Sequence, residues 1–239
     1  MSVPPAADSR AAATAFTAGD GAPLHHAATI EFRAELIRKG IHLCSLSIPT
    51  IYYFIPKETA LAILVPLSLV SLIVDVARFR SEAVAAWFYR WFRWLLRQHE
   101  LDEGKKRWTG ATNILLSAVA CVLIFPKIIV VHAFAILILS DITSALIGRR
   151  FGKRRFLEKS LEGTISFYLA ALVVVAAAPK IDGLWPEYAI AAFAAAVGAV
   201  VEASSRRLDD NISVPLSIGF VMWGLYALLL PSVNLFSLR

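Results

Sequence analysis

The sequence predicts an all-α fold, a polytopic bundle of about seven transmembrane helices with one interfacial amphipathic helix. Of its 239 residues, 58% are hydrophobic, whereas a soluble domain has about 45–50% apolar residues. The excess lies in long apolar runs, and basic residues are concentrated between particular runs. The net charge is +6 and the pI about 9.5, which in such a protein indicates cytoplasmic loops beside anionic headgroups, with no nucleic acid expected as a partner.

The elements follow in order along the chain. Residues 1–28 are rich in Ala, Pro, Ser, Thr and Gly and predict a disordered N-terminal tail. Residues 29–239 are predicted to form one membrane-embedded domain, which begins with a short polar helix at 29–40. The seven predicted spans are 41–55, 59–77, 110–125, 128–147, 165–178, 188–204 and 212–230. Several are shorter than the ~20 residues that a span needs, so the helices are expected to extend through their polar ends.

The distribution of basic residues sets the orientation. With a cytoplasmic N-terminus, the segments 1–40, 78–109, 148–164 and 205–211 lie inside and hold 20 of the 24 Lys and Arg residues. Such an asymmetry predicts both the odd number of spans and their direction. The protein is therefore expected in a cell inner membrane or its equivalent, in contact with the lipid bilayer, with its N-terminus cytoplasmic.

An aromatic segment at about 79–100 is typical of an amphipathic helix lying in the membrane interface. Aromatic and leucine side chains interleave there with Arg90, Arg93 and Arg97. The helix is expected to act as an interfacial anchor or as a platform for a lipid. Cys44 and Cys121 are isolated in apolar segments, so neither a disulfide framework nor a zinc site is predicted.

Polar clusters from distant parts of the chain lie at the predicted cytoplasmic ends of the spans. They centre on Arg38-Lys39 with His42, on Asp75 with Arg78, on Thr109-Gly110, on 141–164, and on Glu202 with 209–211. A carboxylate at a membrane boundary is costly without a partner. Because all five clusters share one face, they are expected to converge on one site. Asp141 has either a metal-binding role or a structural ion pair with Arg78 or Lys39.

Helical spacing refines the segment 141–164. Asp141, Ala145, Gly148 and Gly152 form one stripe if the helix continues, and the small residues would allow close approach of a helix or a ligand. Arg149 and Lys153, with Lys159, supply positive charge near Asp141, which is typical of a magnesium and polyphosphate site. Glu202 is a further acid in an apolar helix and is expected to be a metal ligand or a general base.

These motifs, in this order, resemble the CTP-dependent lipid kinases, which include dolichol kinase, phytol kinase and the CTP-using diacylglycerol kinase. The matching residues span about 31–230: Arg38-Lys39-x-x-His42, Thr109-Gly110, Asp141-x-x-x-Ala145-x-x-Gly148-Arg149-Arg150-x-Gly152-Lys153, Lys159-Ser160-x-Glu162-Gly163-Thr164, Glu202 and Asp209-Asp210-Asn211-x-x-x-Pro215. The segment 141–164 is also similar to the signature of phosphatidate cytidylyltransferases. It departs from that signature at Glu158, where those enzymes usually have Pro, and from many of the kinases at Ser140.

The resemblance implies a catalytic domain that transfers the γ-phosphoryl group of CTP to a membrane-dissolved alcohol, with Mg²⁺ as cofactor. The acceptor is expected to be a polyprenol- or phytol-type alcohol or diacylglycerol. The implied metal ligands are Asp141, Glu202, Asp210 and Asn211. The expected catalytic residues are Glu202, Asp141, His42 and Asp210, with Glu202 preferred to Asp210 as base. The expected nucleotide and phosphate ligands are Arg38, Lys39, Thr109, Gly110, Gly148, Arg149, Gly152, Lys153, Lys159, Ser160, Glu162 and Gly163.

Two alternatives remain open from the sequence. A cytidylyltransferase would use the same nucleotide site but would release pyrophosphate. A transporter of an anionic solute would need polar residues throughout the bilayer depth, whereas the predicted spans are polar at their cytoplasmic ends. A homodimer is also left open.

Overall fold

The computed structural model describes residues 39–92, 107–205 and 209–237. The predicted all-α class is confirmed, because helices make up most of these residues. A helix α1 covers residues 39–44 of the described chain. The remaining helices are α2 (Ser47–Phe54), α3 (Lys57–Arg80), α4 (Glu82–Phe92), α5 (Gly110–Ile124), α6 (Lys127–Phe151), α7 (Leu161–Ala177), α8 (Trp185–Ser204) and α9 (Asp210–Leu229).

Four helices of the described part are long and apolar enough to cross a membrane, namely α3, α6, α8 and α9. The apolar helices α5 and α7 are shorter, with 15 and 17 residues. At 1.5 Å per residue they reach about 22 and 26 Å, less than the ~30 Å hydrocarbon core. The first predicted span, 41–55, is broken at Ser45-Leu46 into α1 and the eight-residue α2. Of the approximately seven predicted spans, the structure therefore supports four.

Helix α6 is the centre of the bundle. It packs against α7, α9 and α2, and its side chains from Ile128 to Ile138 are almost all buried. Two glycines allow close packing at α9: Gly198 lies on the neighbouring helix α8, and Gly219 lies on α9 itself. A Cβ on Gly198 would lie 2.7 Å from Ile218, and one on Gly219 would lie 2.4 Å from the Phe125 ring. Only glycine fits these two contacts without a shift of the neighbour.

Three lysines stabilise the end of the helix bundle that lies opposite Asp141. Lys57 donates to the carbonyl of Leu123, and Lys127 donates to that of Ile55. Lys180 donates to the carbonyls of Val175 and Ala178. Each lysine thus donates to carbonyl groups at the end of a helix, where such groups have no partner within the helix, and this stabilises the helix terminus. All three lysines lie outside the four segments that the sequence prediction places on the cytoplasmic side.

At the other end, a two-stranded hairpin departs from the purely helical prediction. Strand β1 (Arg155–Phe156) pairs antiparallel with β2 (Lys159–Ser160), and Leu157 takes a positive φ of 53° in the turn. The Glu158 amide donates to the carbonyl of Ala203 in α8. The hairpin is therefore attached to the end of α8, and this attachment brings Lys159 beside Glu202.

The aromatic segment is also shorter than predicted where the structure describes it. Residues 79 and 80 belong to α3, because the helix continues to Arg80 and ends at an extended Ser81. The amphipathic helix α4 then covers 82–92, and the prediction for 93–100 lies outside the described residues. The predicted disordered tail, 1–28, and Arg38 also lie outside them.

Candidate functional site

The first half of the site is formed by α1 and α6. Asp141 lies in the second half of α6 and is 5% exposed. The Lys39 ammonium bonds the Oδ2 atom of Asp141 and donates to its carbonyl oxygen at 3.3 Å. The Nε2 atom of His42 lies 3.6 Å from the same Oδ2 atom. Residues three apart share a helix face, so α1 presents both groups to Asp141. Of the two expected ion pairs, the one with Lys39 is present.

The second half joins the hairpin to the ends of α8 and α9. The Nζ atom of Lys159 lies 2.5 Å from Oε1 of Glu202 and 3.4 Å from Oδ2 of Asp210. The Ser144 hydroxyl donates to the same Oε1 atom at 3.0 Å. The Glu202 side chain is 1% exposed. One lysine therefore holds together two carboxylates that come from different helices.

The two halves form one charged cluster. Ser144 follows Asp141 by three residues on α6, so the same helix face carries the first carboxylate and the hydroxyl that bonds the second. Burial alone would lower the pKa of Lys159. The carboxylates of Asp210 and Glu202, with a contribution from Asp141, outweigh this effect and raise the pKa of Lys159 above its usual value. Lys159 therefore stays cationic at neutral pH.

The donor set fits a magnesium ion only if a substrate supplies further oxygens. No group of three His, Cys, Asp or Glu within the described ranges is close enough to form a metal cage by itself. Glu202, however, has a buried Oε2 atom with no hydrogen-bond partner in the described structure. Magnesium usually binds one or two carboxylates plus waters and substrate phosphates. Asp141 and Glu202, with Asp210, are the residues that would hold such an ion.

Asn211 and Asp209 have a structural role in this arrangement. The Asp209 side chain caps α9 by accepting the backbone amide of Asn211, and it also accepts the Asn211 side-chain amide at 2.7 Å. Asn211 is buried, and its Nδ2 group faces Asp209. These contacts match the helix cap expected at this type of sequence.

The predicted glycines provide close packing around Ser160. A Cβ on Gly148 would lie 2.9 Å from the Ser160 hydroxyl, and one on Gly163 would lie 3.1 Å from the Ser144 carbonyl. A Cβ on Gly152 would lie 2.2 Å from the carbonyl of Gly148. Helix α6 does continue to Phe151, with Gly152 as its cap. The stripe of small residues therefore receives α7 and the hairpin.

Ser160 and Glu162 organise the loop between α6 and α7. Ser160 caps α7 by accepting the Gly163 amide, and Glu162 accepts the amides of Lys153 and Arg154. Hydrogen bonds from its own amide and from these two amides lower the pKa of Glu162. Arg149 and Lys153 are exposed at the rim. The exposed cations are accessible to a phosphate, whereas Ser160 and Glu162 already hold the backbone.

Thr109, a predicted phosphate ligand, is bonded to Asp75. The Asp75 carboxylate accepts the Thr109 amide and hydroxyl and the Thr112 hydroxyl, and it pairs with Arg78 at 2.8 Å. Three aromatic rings surround the Arg78 guanidinium. Thr109 caps α5, which begins at Gly110. This unit, the Asp75 hub, joins α3 to α5, so the contacts of Thr109 are explained by packing.

Ser144 is the site residue that sequence reasoning missed. Its signal in the sequence is its position three residues after Asp141, which places a hydroxyl on the same face of the helix. Asp75 and Arg78 belong to a recognised cluster, but their hydrogen bonds to α5 depend on tertiary contact and leave no spacing pattern in the sequence.

The fold and site define a helical protein that has four helices long and apolar enough to cross a membrane, with a charged cluster at one end of its apolar helices. The chain is 28% identical over 191 residues to an uncharacterized protein of Rickettsia prowazekii (strain Madrid E); the match covers 79% of this chain and 93% of the relative. No family model and no solved structure matches the chain. Because the similarity covers nearly the whole relative, that protein offers a second chain in which to test the site.

Proposed function

We propose that the chain is a membrane-embedded kinase that transfers the γ-phosphoryl group of CTP to a lipid alcohol in a magnesium-dependent reaction. The observation that carries the proposal is the convergence of three acids and two lysines from α1, α6, the hairpin, α8 and α9. Phosphoryl transfer depends mainly on positioning and charge neutralisation. A cluster of buried carboxylates beside lysine cations at a membrane boundary would provide both.

The proposed reaction forms one bond to the γ-phosphorus and breaks another. The oxygen of the lipid hydroxyl attacks the γ-phosphorus, the hydroxyl proton passes to a base, and CDP leaves with the electrons of the broken bond. Bound magnesium would neutralise charge on the phosphate oxygens. Glu202 is the preferred base, because its Oε2 atom is available while Ser144 and Lys159 hold Oε1. His42, whose Nε2 atom lies 3.6 Å from Asp141 Oδ2, would orient the hydroxyl or a phosphate.

The cations of the site would bind the triphosphate. Lys39 and Lys159 are partly or wholly buried beside the carboxylates, whereas Arg149 and Lys153 are exposed at the rim. Lysine serves as a point charge for phosphate, and arginine adds a two-pronged hydrogen bond. The acceptor would enter from the bilayer near α4, where the rings of Trp87 and Trp91 are 56% and 60% exposed.

The proposal includes an orientation and a span count. The charged cluster would face the cytosol, where nucleotide is available, and the three lysine-capped helix ends would face the opposite side. Helices α5 and α7, and α1 with α2 as one further span, would bring the four long helices to seven crossings. Local thinning of the bilayer, or extension of the span through polar flanking residues, would make up for their short length.

The experiment is a panel of lipid alcohols with each nucleotide. Purified protein in lipid is incubated with phytol, farnesol, polyprenol or diacylglycerol, with CTP or ATP, and products are identified by mass spectrometry. We expect a lipid monophosphate formed with CTP. The variant Asp141→Asn should lower turnover by about 100-fold or more, whereas Asp182→Asn, an exposed acid at the other end, should retain it.

Three outcomes would contradict the proposal. They are the absence of any lipid monophosphate, the transfer of CMP to the lipid, and normal turnover in Asp141→Asn. Solute flux through proteoliposomes without consumption of CTP would favour the transporter.

A further inference from the structure

Lys159 occupies a point where a cation contacts two carboxylates at once. A single nitrogen atom lies within 3.4 Å of Oε1 of Glu202 and of Oδ2 of Asp210. The two acids are on different helices, and the exposed fractions of their side chains are 1% and 13%. The lysine side chain is 31% exposed, so its ammonium reaches this point from the rim of the cluster.

The Glu202 carboxylate is only partly satisfied at this point. Its Oε1 atom accepts hydrogen bonds from the Lys159 ammonium and from the Ser144 hydroxyl. The Oε2 atom of Glu202 is buried and has no hydrogen-bond partner among the residues that the structure describes. A buried carboxylate oxygen without a partner is unfavourable. Glu202 therefore keeps an unsatisfied carboxylate oxygen that a bound cation would satisfy.

We propose that Lys159 is an exchangeable counter-ion: its ammonium holds the position between Glu202 and Asp210 that a divalent cation takes when the site is loaded, and it then contacts the nucleotide phosphates. The role of the phosphates rests on the function proposed above, whereas the exchange at the two carboxylates does not. Lysine suits this role because its flexible stem carries a compact charge with three donors.

The exchange predicts that metal and nucleotide favour each other's binding. Without nucleotide, a divalent ion must displace the ammonium from two carboxylates, and the ammonium gains no new partner. A phosphate group supplies that partner, so each ligand lowers the free-energy cost of binding the other. Coupling between two ligands is reciprocal and typically amounts to about 5- to 150-fold in affinity. Removal of the lysine should therefore raise the affinity for metal alone.

The test measures Mn²⁺ binding to the full-length protein in detergent micelles, without nucleotide or alcohol, by the paramagnetic resonance of free Mn²⁺. We compare wild type, Lys159→Met, Lys159→Gln and the control Arg155→Met. The control removes one positive charge from the same hairpin, where the Arg155 side chain is 77% exposed. We expect both Lys159 variants to bind Mn²⁺ about tenfold more tightly than wild type and the control. Adding Glu202→Gln to Lys159→Met should remove this gain.

Equal or weaker Mn²⁺ binding by the folded Lys159 variants would overturn the exchange, as would an equal gain in Arg155→Met. If Lys159→Met does not fold, Lys159→Gln decides, because its amide keeps hydrogen-bond donors on the side chain without the positive charge. If neither folds without metal, folding rescued by Mn²⁺ supports the exchange, and failure of that rescue overturns it. Because the assay contains no CTP, a wild type that phosphorylates no alcohol refutes the kinase proposal without affecting this result.

Discussion

Replacement of Asp75 should destabilise the protein more than any single change at a surface position, because it removes the centre of the Asp75 hub. Its carboxylate accepts four hydrogen bonds, from Arg78, from the amide and hydroxyl of Thr109, and from the hydroxyl of Thr112. Both Asp75 and Arg78 have side chains that are 1% exposed. Breaking one partner of a buried ion pair costs about 3–5 kcal/mol, since it leaves the other charge uncompensated.

The value expected for Asp75→Asn is near the lower end of that range, about 3 kcal/mol. The Arg107 carbonyl at 2.8 Å and the three rings around Arg78 still compensate part of its charge. The assay is equilibrium unfolding in mixed micelles of a mild detergent and dodecyl sulfate. The control is Ser68→Ala on the same helix, whose buried hydroxyl donates to the carbonyl four residues earlier. A loss below about 1 kcal/mol, or one no larger than the control's, would refute the assignment of a structural role to the hub.

The remaining predictions concern the far end, the glycines and the hairpin. Glu187→Gln should lower the free energy of unfolding by about 3 kcal/mol, because Glu187 accepts four hydrogen bonds and the amide oxygen of Gln can accept two of them. Tyr226→Phe removes one of these hydrogen bonds and should lower it by about 1.5 kcal/mol. Similar losses for the two variants would contradict this geometry. Gly152→Ala should destabilise the protein by about 1–3 kcal/mol, because its Cβ would overlap a carbonyl oxygen. Gly224→Ala, whose Cβ meets no atom within 4 Å, should stabilise α9 by about 0.5–1 kcal/mol. A higher Tm for Gly152→Ala than for Gly224→Ala would contradict this packing. Because the pKa of Lys159 is raised above 10.5, its stabilising contribution is fully present below that pH and is lost only as the pH rises through the higher folded-state value. The stability advantage of wild type over Lys159→Met should therefore not decrease as the pH rises from 6 to 9, and a decrease in the Tm difference within that window would contradict the ion pairs.

The apolar helices are the part of the fold that the sequence predicts well. The prediction for α5 is 110–125 against Gly110–Ile124, and the prediction for α9 is 212–230 against Asp210–Leu229. Long apolar runs between polar segments leave few other structures in a bilayer, because every backbone group must be bonded within the segment. The predicted first span, 41–55, is the exception, since nothing in its composition locates the break at Ser45-Leu46.

The site is predictable to the level of its clusters but not of its partners. Helical spacing places Asp141 and the glycines on one stripe, and charge at one end of the spans indicates convergence. The choice of Lys39 for Asp141 depends on how α1 crosses α6, and the link between Glu202 and Asp210 depends on the hairpin. Both are consequences of tertiary packing, which spacing in a single sequence does not contain.

The fate of each phosphate of CTP tests the central claim most directly. The purified protein is given CTP labelled at the γ-phosphate in one reaction and at the α-phosphate in another, together with Mg²⁺ and the lipid alcohol on which it is most active. The kinase assignment predicts that the γ-label enters the lipid and that the α-label is recovered in soluble CDP. In Asp141→Asn, neither labelled product should form. Label from the α-phosphate in the lipid, with γ-label in pyrophosphate, would contradict it.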